Sequence, residues 1–247
     1  MKWALCASIT ACLTASAYAD DVRVAAASDL NFAIKEIISG FEHKTGHTVS
    51  LTLGSSGNFY QQLTQGAPFQ VFLSADVDYV RRLEGAGRTE PGSTLIYGTG
   101  RIVLWTRGDS QIAPDISKMD SLLQASVKRI AIANPDHAPY GRAAVAAMKK
   151  ANVYERVQSK LVLGENISQA AQFVQSGAAD AGIIALSLAQ SDAMKQSGRY
   201  WVIPESMHAP LDQAAVLLRG ATPAARSFYE WLKSPEAKAI LKRYGFQ

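Results

Sequence analysis

The chain has 247 residues, of which 48% are hydrophobic and 19% charged, with a formal net charge of +4. That length suits one large domain or two small lobes. So mild a positive excess, spread along the chain, argues against a nucleic-acid tract or a membrane-binding basic face.

The first segment reads as an export signal. Lys2 is a short positive region, Trp3 to Thr14 is uncharged and largely apolar, and Ala17-Tyr18-Ala19 forms a cleavage site before Asp20. The apolar stretch is too short to span a bilayer. A lipoprotein reading at Ile9-Thr10-Ala11-Cys12 would leave too short an apolar run before Cys12. Cleavage leaves 228 residues and removes Lys2, Cys6 and Cys12, the last two being the only cysteines. The mature chain therefore has no disulfide, thiolate metal site or cysteine nucleophile. It is expected to be soluble and exported.

The elements follow in order. Val22 to Ala26 reads as a strand, and Leu30 to about Thr45 as a helix with apolar residues at Phe32, Ala33, Ile34, Ile37, Ile38 and Phe41. Gly46 stops it, and Thr48 to Leu53 alternates as a strand. A helix from Phe59 to Gln65 follows the Gly54–Gly57 turn. Val71 to Ser74 is a strand buried on both faces, and Val77 to Glu84 a helix. Tyr97 to Arg107 holds the strand Ile102 to Trp105. Ile116 to Leu123 has helical character, and Ile130 to Ala133 is a buried strand. Ala143 to Lys150 is an alanine-rich helix, Leu161 to Leu163 a strand, and Ser168 to Gln175 a helix. Ala181 to Ala185 is a strand, Leu186 to Lys195 a helix, and Trp201 to Ile203 and Ala214 to Leu218 are strands. Ala224 to Arg243 gives helices interrupted at Ser234-Pro235. This alternation predicts an α/β fold with parallel sheets covered by helices, wound in two rounds near 20–98 and 108–205. The connection rules allow the C-terminal helix to return to the first round, leaving a cleft between lobes.

Four junctions share one pattern, in which an apolar run ends in a small polar turn and a helix follows. They are Ala25 to Asp29, Gly54 to Asn58, Asn134 to Gly141 and Gly164 to Ser168. The first turn of a helix has unpaired N–H groups and a partial positive charge, so it binds oxyanions without a charged side chain. Two junctions in each half could converge on one small anion.

Each residue also has a plainer reading. Ser28 could be an N-cap, although Asp29 is the better cap and would leave Ser28 free to face a cleft. At an anion site Asp29 should offer its N–H and turn its carboxylate away. Ser55 and Ser56 could form an ordinary glycine-flanked turn, or Gly54 and Gly57 could let the backbone approach a ligand, with a serine hydroxyl as donor. A serine nucleophile is disfavoured, because Gly54-Ser55-Ser56-Gly57-Asn58 is not G-x-S-x-G. Tyr140-Gly141 and Asn166-Ile167-Ser168 could be simple helix starts. His43 and His47 have metal-pair spacing but no completing carboxylate. His137 reads as a loop histidine with no evident partner. Arg142 reads as solvated unless it points into a cleft, where it would favour a phosphate or carboxylate.

Taken together, the motifs resemble the periplasmic molybdate-binding proteins of ABC uptake systems over essentially the whole mature length. They are Ala25-Ala26-Ala27-Ser28-Asp29-Leu30, Gly54-Ser55-Ser56-Gly57, Gly66-Ala67-Pro68 with Val71 to Asp76, Asn134 to Gly141, and Lys242-Arg243-Tyr244-Gly245-Phe246. The resemblance implies a type II two-lobed binding protein, each lobe a mostly parallel sheet flanked by helices, with the ligand in the interlobe cleft. Residues 20–99 plus 207–247 would form one lobe and 100–206 the other, with hinge crossings near 98–107 and 205–219. The implied ligand is molybdate or tungstate, held by the Ser28 and Ser56 hydroxyls and by main-chain donors at Asp29, Tyr140 and Ile167. Some members add a tyrosine hydroxyl where this chain has Ala185. The resemblance further implies a periplasmic monomer that delivers its anion to a membrane permease, with no catalysis, no cofactor, no direct metal ligand and no nucleic acid. The alternative is a binding protein for sulfate or another small oxyanion. Neutral donors would reject a protonated anion, since its own hydrogen would meet only donors. An exported serine hydrolase built on Ser56 would instead need a histidine within hydrogen-bond reach of that residue.

Overall fold

The computed structural model describes residues 21–110, 112 and 118–247. The signal segment, both cysteines and the start of the helix expected from Ile116 lie outside these residues. Strands β1 (Asp21–Ala27), β2 (Thr48–Gly54), β3 (Val71–Ser74) and β4 (Leu95–Gly100) form the first sheet with β10 (Leu211–Leu217), in the order β2-β1-β3-β10-β4. The second sheet has the order β7-β6-β8-β5-β9 and contains β5 (Ile102–Arg107), β6 (Ile130–Ala133), β7 (Leu161–Gly164), β8 (Ala181–Ala185) and β9 (Gly198–Val202). In each sheet the first three strands are parallel and the last two joins antiparallel. The sheets are therefore mixed but mostly parallel, four strands in each running one way and a single strand, β10 or β5, reversed. The Tyr97 to Arg107 stretch is two strands, one in each sheet, that part at Arg101. The chain crosses back between Val202 and Leu211.

Helices α1 (Asn31–Thr45), α2 (Ser56–Thr64), α3 (Val77–Gly85), α9 (Pro223–Trp231) and α10 (Pro235–Arg243) cover the first sheet. The side chains of α1 at Ala33, Ile34, Ile37, Ile38 and Phe41 join those of α9 and α10 in one core, while Phe59, Leu63, Val80 and Leu83 of α2 and α3 fill the opposite face with Phe72. Gly46, with φ +75°, ends α1 in the left-handed conformation a Cβ would strain. The Thr222 and Ser234 hydroxyls cap α9 and α10, each with proline at the first helical position. That accounts for the break at Ser234-Pro235.

The second sheet carries α4 (Pro139–Lys150), α5 (Tyr154–Val157), α6 (Ile167–Gln175), α7 (Leu186–Ala189) and α8 (Asp192–Ser197). The single helix expected from Leu186 to Lys195 is two short ones, broken at Gln190 and Ser191. In place of a helix through Leu123, a 3-10 turn spans Met119–Leu123. The largest core belongs to this lobe, and it also takes in Ala27 and Ala75 from the first. The lobes are in direct contact.

Candidate anion-binding site

Four parallel strands, two in each sheet, end at the same place: β1 at Ala27, β2 at Gly54, β6 at Ala133 and β7 at Gly164. Ligands of open α/β sheets gather at the carboxyl ends of strands. Each strand leads into a helical turn, so four N-terminal turns converge. They belong to the 3-10 turn Ser28–Leu30 ahead of α1, and to α2, α4 and α6. Between them lies a small cavity of about 10 Å³. Its wall contains Ser28, Asp29, Ser56, Tyr140 and Ile167, together with Ala27, Gly54, Ser55, Ala75, Ala138 and Pro139. All five residues singled out in the sequence thus line one space. Ala185 does not.

Two helix starts lie earlier than the periodicity indicates. Helix α2 begins at Ser56, three residues before Phe59, which puts Ser56 in the first turn. Helix α4 begins at Pro139 and has Tyr140 at its second position. The Ser56 Oγ accepts a hydrogen bond from the Ala75 N–H at 2.9 Å, fully buried. Its own hydrogen remains to be donated into the cavity. Asn166 caps α6 by accepting from the Gln169 N–H, and the Ile167 N–H belongs to the first turn, where no intrahelical partner exists. Neither Ser28 nor Asp29 acts as a cap. The residues ahead of the 3-10 turn and of α1 are Ala27 and Leu30, and neither helix start has a side-chain cap bond. Instead the Ser28 hydroxyl reaches the other lobe, donating to Asn166 Oδ1 at 3.1 Å and accepting from the Ser168 N–H at 3.3 Å.

The Asp29 carboxylate is held in a buried network beside the cavity. Its Oδ2 accepts from the Tyr140 hydroxyl at 2.9 Å and from Gln213 Nε2 at 2.7 Å. Gln213 Oε1 in turn accepts from the Tyr97 hydroxyl at 2.7 Å. Burial pushes the Asp29 carboxyl up to about 6, opposed by the hydrogen bonds from Gln213 and Tyr140. Burial, with the nearby Asp29 charge, also holds both phenols well above their ordinary range, so Tyr97 and Tyr140 are neutral donors. The Asp29 Oδ1 is buried with no hydrogen-bond partner, which favours the protonated acid.

Further bonds tie the lobes together around the cavity. The Gly57 N–H donates to the His137 carbonyl at 2.9 Å, Ser55 Oγ lies 2.8 Å from His137 Nδ1, and Asn58 Nδ2 donates to Glu165 Oε1 at 2.7 Å. The Ser187 hydroxyl donates to the Asp29 carbonyl at 2.7 Å. On the rim, Arg142 is partly solvated and not aimed at the cavity; it pairs with Asp76 at 2.6 Å and donates to the Tyr79 hydroxyl at 3.2 Å. His137 has partners after all, Ser55 and, at 3.6 Å, Glu165. Its bond goes to Ser55 and not to Ser56, through the ring nitrogen opposite to that of a hydrolytic triad. His47 stacks on Phe41, and among the described residues no cluster of acids and histidines could hold a metal ion.

The sequence reasoning missed Gln213, Tyr97 and the latch through His137. A signal existed for the first. Gln213 is a wholly buried amide in a strand whose next four residues are apolar.

The matches to known proteins agree with this geometry. Residues 22–247 match the family model described as bacterial extracellular solute-binding protein. The chain belongs to that family. It is 40% identical to the molybdate-binding protein ModA of Rhodobacter capsulatus over 95% of this chain and 91% of the relative. It is 39% identical to ModA of Azotobacter vinelandii over 98% and 95%. The solved periplasmic molybdate-binding protein of Azotobacter vinelandii superposes with a TM-score of 0.84 at 32% identity, over 92% of this chain and 98% of that one. The role of such solute-binding relatives is carriage, and this chain is not an enzyme. Among the described residues no helix is long and apolar enough to cross a membrane.

Proposed function

We propose that this protein captures molybdate, and tungstate equally, in the periplasm and delivers it to the permease of an ABC transporter. The observation that carries this reading is the convergence of Ser28, Asp29, Ser56, Tyr140 and Ile167 on one small cavity. Main-chain N–H groups at helix starts and the Ser56 hydroxyl suit a dehydrated dianion, the Ser28 hydroxyl joins them by turning from Asn166 to the anion, and no cationic side chain is needed. Only Asp29 among the lining side chains is ionisable in the acid range; burial raises its carboxyl to about 6 against the opposing hydrogen bonds from Gln213 and Tyr140, which hold it away from the anion. The names of the relatives support molybdate over sulfate. Residues 20–99 with 207–247 move as one lobe and 100–206 as the other, about crossings near 98–107 and 205–219. Closure traps the anion, and the closed monomer engages the permease. The N-terminal signal directs export and is removed by cleavage after Ala19.

The test is thermal unfolding of the cleaved protein with molybdate, tungstate, sulfate and phosphate in turn. A ligand at a hundred times its Kd adds ~2.7 kcal/mol, roughly 5–11 °C in Tm for a chain of this size. Molybdate and tungstate should give this shift and phosphate none. A shift with sulfate alone would replace the ligand, and no shift with any of them would overturn the oxyanion reading.

A further inference from the structure

Ser55 is a buried part of the cavity wall, and its Oγ lies 2.8 Å from Nδ1 of His137 in the other lobe. That hydrogen bond can run two ways. If Nδ1 is bare, the Ser55 hydroxyl must donate to it, and the serine then offers only lone pairs to an oxyanion in the cavity. If Nδ1 carries hydrogen, it donates to Oγ and the Ser55 hydrogen is free to turn toward the anion. His137 Nε2 lies 3.6 Å from the Glu165 Oε1, a position that suits an N–H and disfavours a bare nitrogen. The neutral ring then carries its one hydrogen on Nε2 and accepts from Ser55 at Nδ1, and the Ser55 hydrogen is freed only in the imidazolium, where both nitrogens donate.

The ring is held in place by the closed lobes. The His137 carbonyl accepts from the Gly57 N–H, and Glu165 accepts from Asn58. The groups facing His137 from α2 are Ser55, Gly57 and Asn58, none of them charged. Glu165 faces it from the loop before α6, and Asp136 is exposed on its own loop. From α4, Arg142 is taken up by Asp76 and by the Tyr79 hydroxyl of α3. Asp29 is the further titratable group on the cavity wall.

We propose that His137, as a cation facing Glu165, turns the Ser55 hydroxyl toward the bound oxyanion, so that retention of the anion is coupled to proton uptake at this histidine. The inference rests on the oxyanion reading. Proton uptake at His137 tightens the grip as pH falls, and its loss loosens the grip as pH rises.

The experiment is calorimetric titration of micromolar molybdate into the wild-type protein, Ser55→Ala, His137→Asn and the double variant, between about pH 6 and 8.5. The amide nitrogen of His137→Asn can stand near Nδ1 and donate at every pH. Its Kd should therefore hold at high pH, where the wild-type Kd rises roughly ten-fold, the value of one hydrogen bond to a charged group. Ser55→Ala should weaken binding roughly ten-fold at about pH 6 and lose the same part of the pH slope. The double variant should be no worse than Ser55→Ala. The contribution of Asp29 is common to all four and cancels in the ratio of each variant to wild type. Variant curves parallel to the wild type would overturn this inference alone. A wild type that binds neither molybdate nor sulfate at any pH would overturn the oxyanion reading and this inference with it.

Discussion

Gly57→Ala should act on closure without acting on folding. A Cβ at Gly57 would lie 2.5 Å from the His137 carbonyl oxygen, 2.9 Å from its Cα and 2.8 Å from the Tyr79 hydroxyl. The His137 backbone cannot swing aside as a side chain would, but it belongs to the other lobe, so parting the lobes relieves that clash. Gly57 sits inside α2 with ordinary helical φ, where alanine is the better residue by up to about 1 kcal/mol. Overpacking costs about 1–3 kcal/mol, and losing the Gly57 N–H bond to His137 about 0.5–1.5 more. The closed state should therefore lose about 2–4 kcal/mol, a drop in molybdate affinity of roughly thirty- to several-hundred-fold. Gly141→Ala is the control. Its Cβ would meet the Ala133 carbonyl oxygen at 2.1 Å, within the same lobe, where opening gives no relief. Calorimetry should find weak binding with an unchanged ligand-free Tm for Gly57→Ala, and a lowered ligand-free Tm for Gly141→Ala. An unaltered Kd for Gly57→Ala, or equal loss of Tm in both variants, would refute the reasoning.

Three further outcomes follow from the same contacts. Because the folded-state value for Asp29 is raised from 3.8 to about 6, the closed form binds more protons than the unfolded chain between these values. Its stability then falls as pH rises through about 6, by roughly 3 kcal/mol in all. Asp29→Asn should remove that fall, giving a higher Tm than wild type at about pH 7.5 with saturating anion, and parallel Tm–pH curves would refute it. Ser56→Ala removes a donor and leaves the Ala75 N–H buried without a partner. It should weaken molybdate binding at least ten-fold and lower the ligand-free Tm by a few degrees, measured by calorimetry and thermal melts. Arg142→Ala breaks a partly exposed rim pair with Asp76, so it should change affinity less than ten-fold. A larger loss would mean that the guanidinium reaches the anion.

Much of the fold was legible because the signals for it are local. Apolar spacing marked α1, the continuous run Val71 to Ser74 marked β3, and Ser234-Pro235 marked the break between α9 and α10. The four strand-to-helix junctions were legible for a related reason, since a small polar turn leaves its mark within a few positions, while the choice of five residues within them is what the resemblance implies. Local reasoning failed at helix starts. Ser56 and Pro139 begin helices earlier than apolar periodicity indicates, because first-turn residues face the cavity and need no apolar side chain. It did not reach the one reversed strand in each sheet, because those joins depend on where β10 and β5 return.

What the sequence determined by itself was the set of donor-rich helix starts and the lack of any cationic cluster to replace them. What only the tertiary structure decided was their convergence and the polar frame that holds them. Asp29 meets Tyr140 across 111 positions and Gln213 across 184, and Ser55 meets His137 across 82. Such pairs leave no periodic trace in the chain, because each partner satisfies a hydrogen bond that exists only after the two sheets have formed and the lobes have closed.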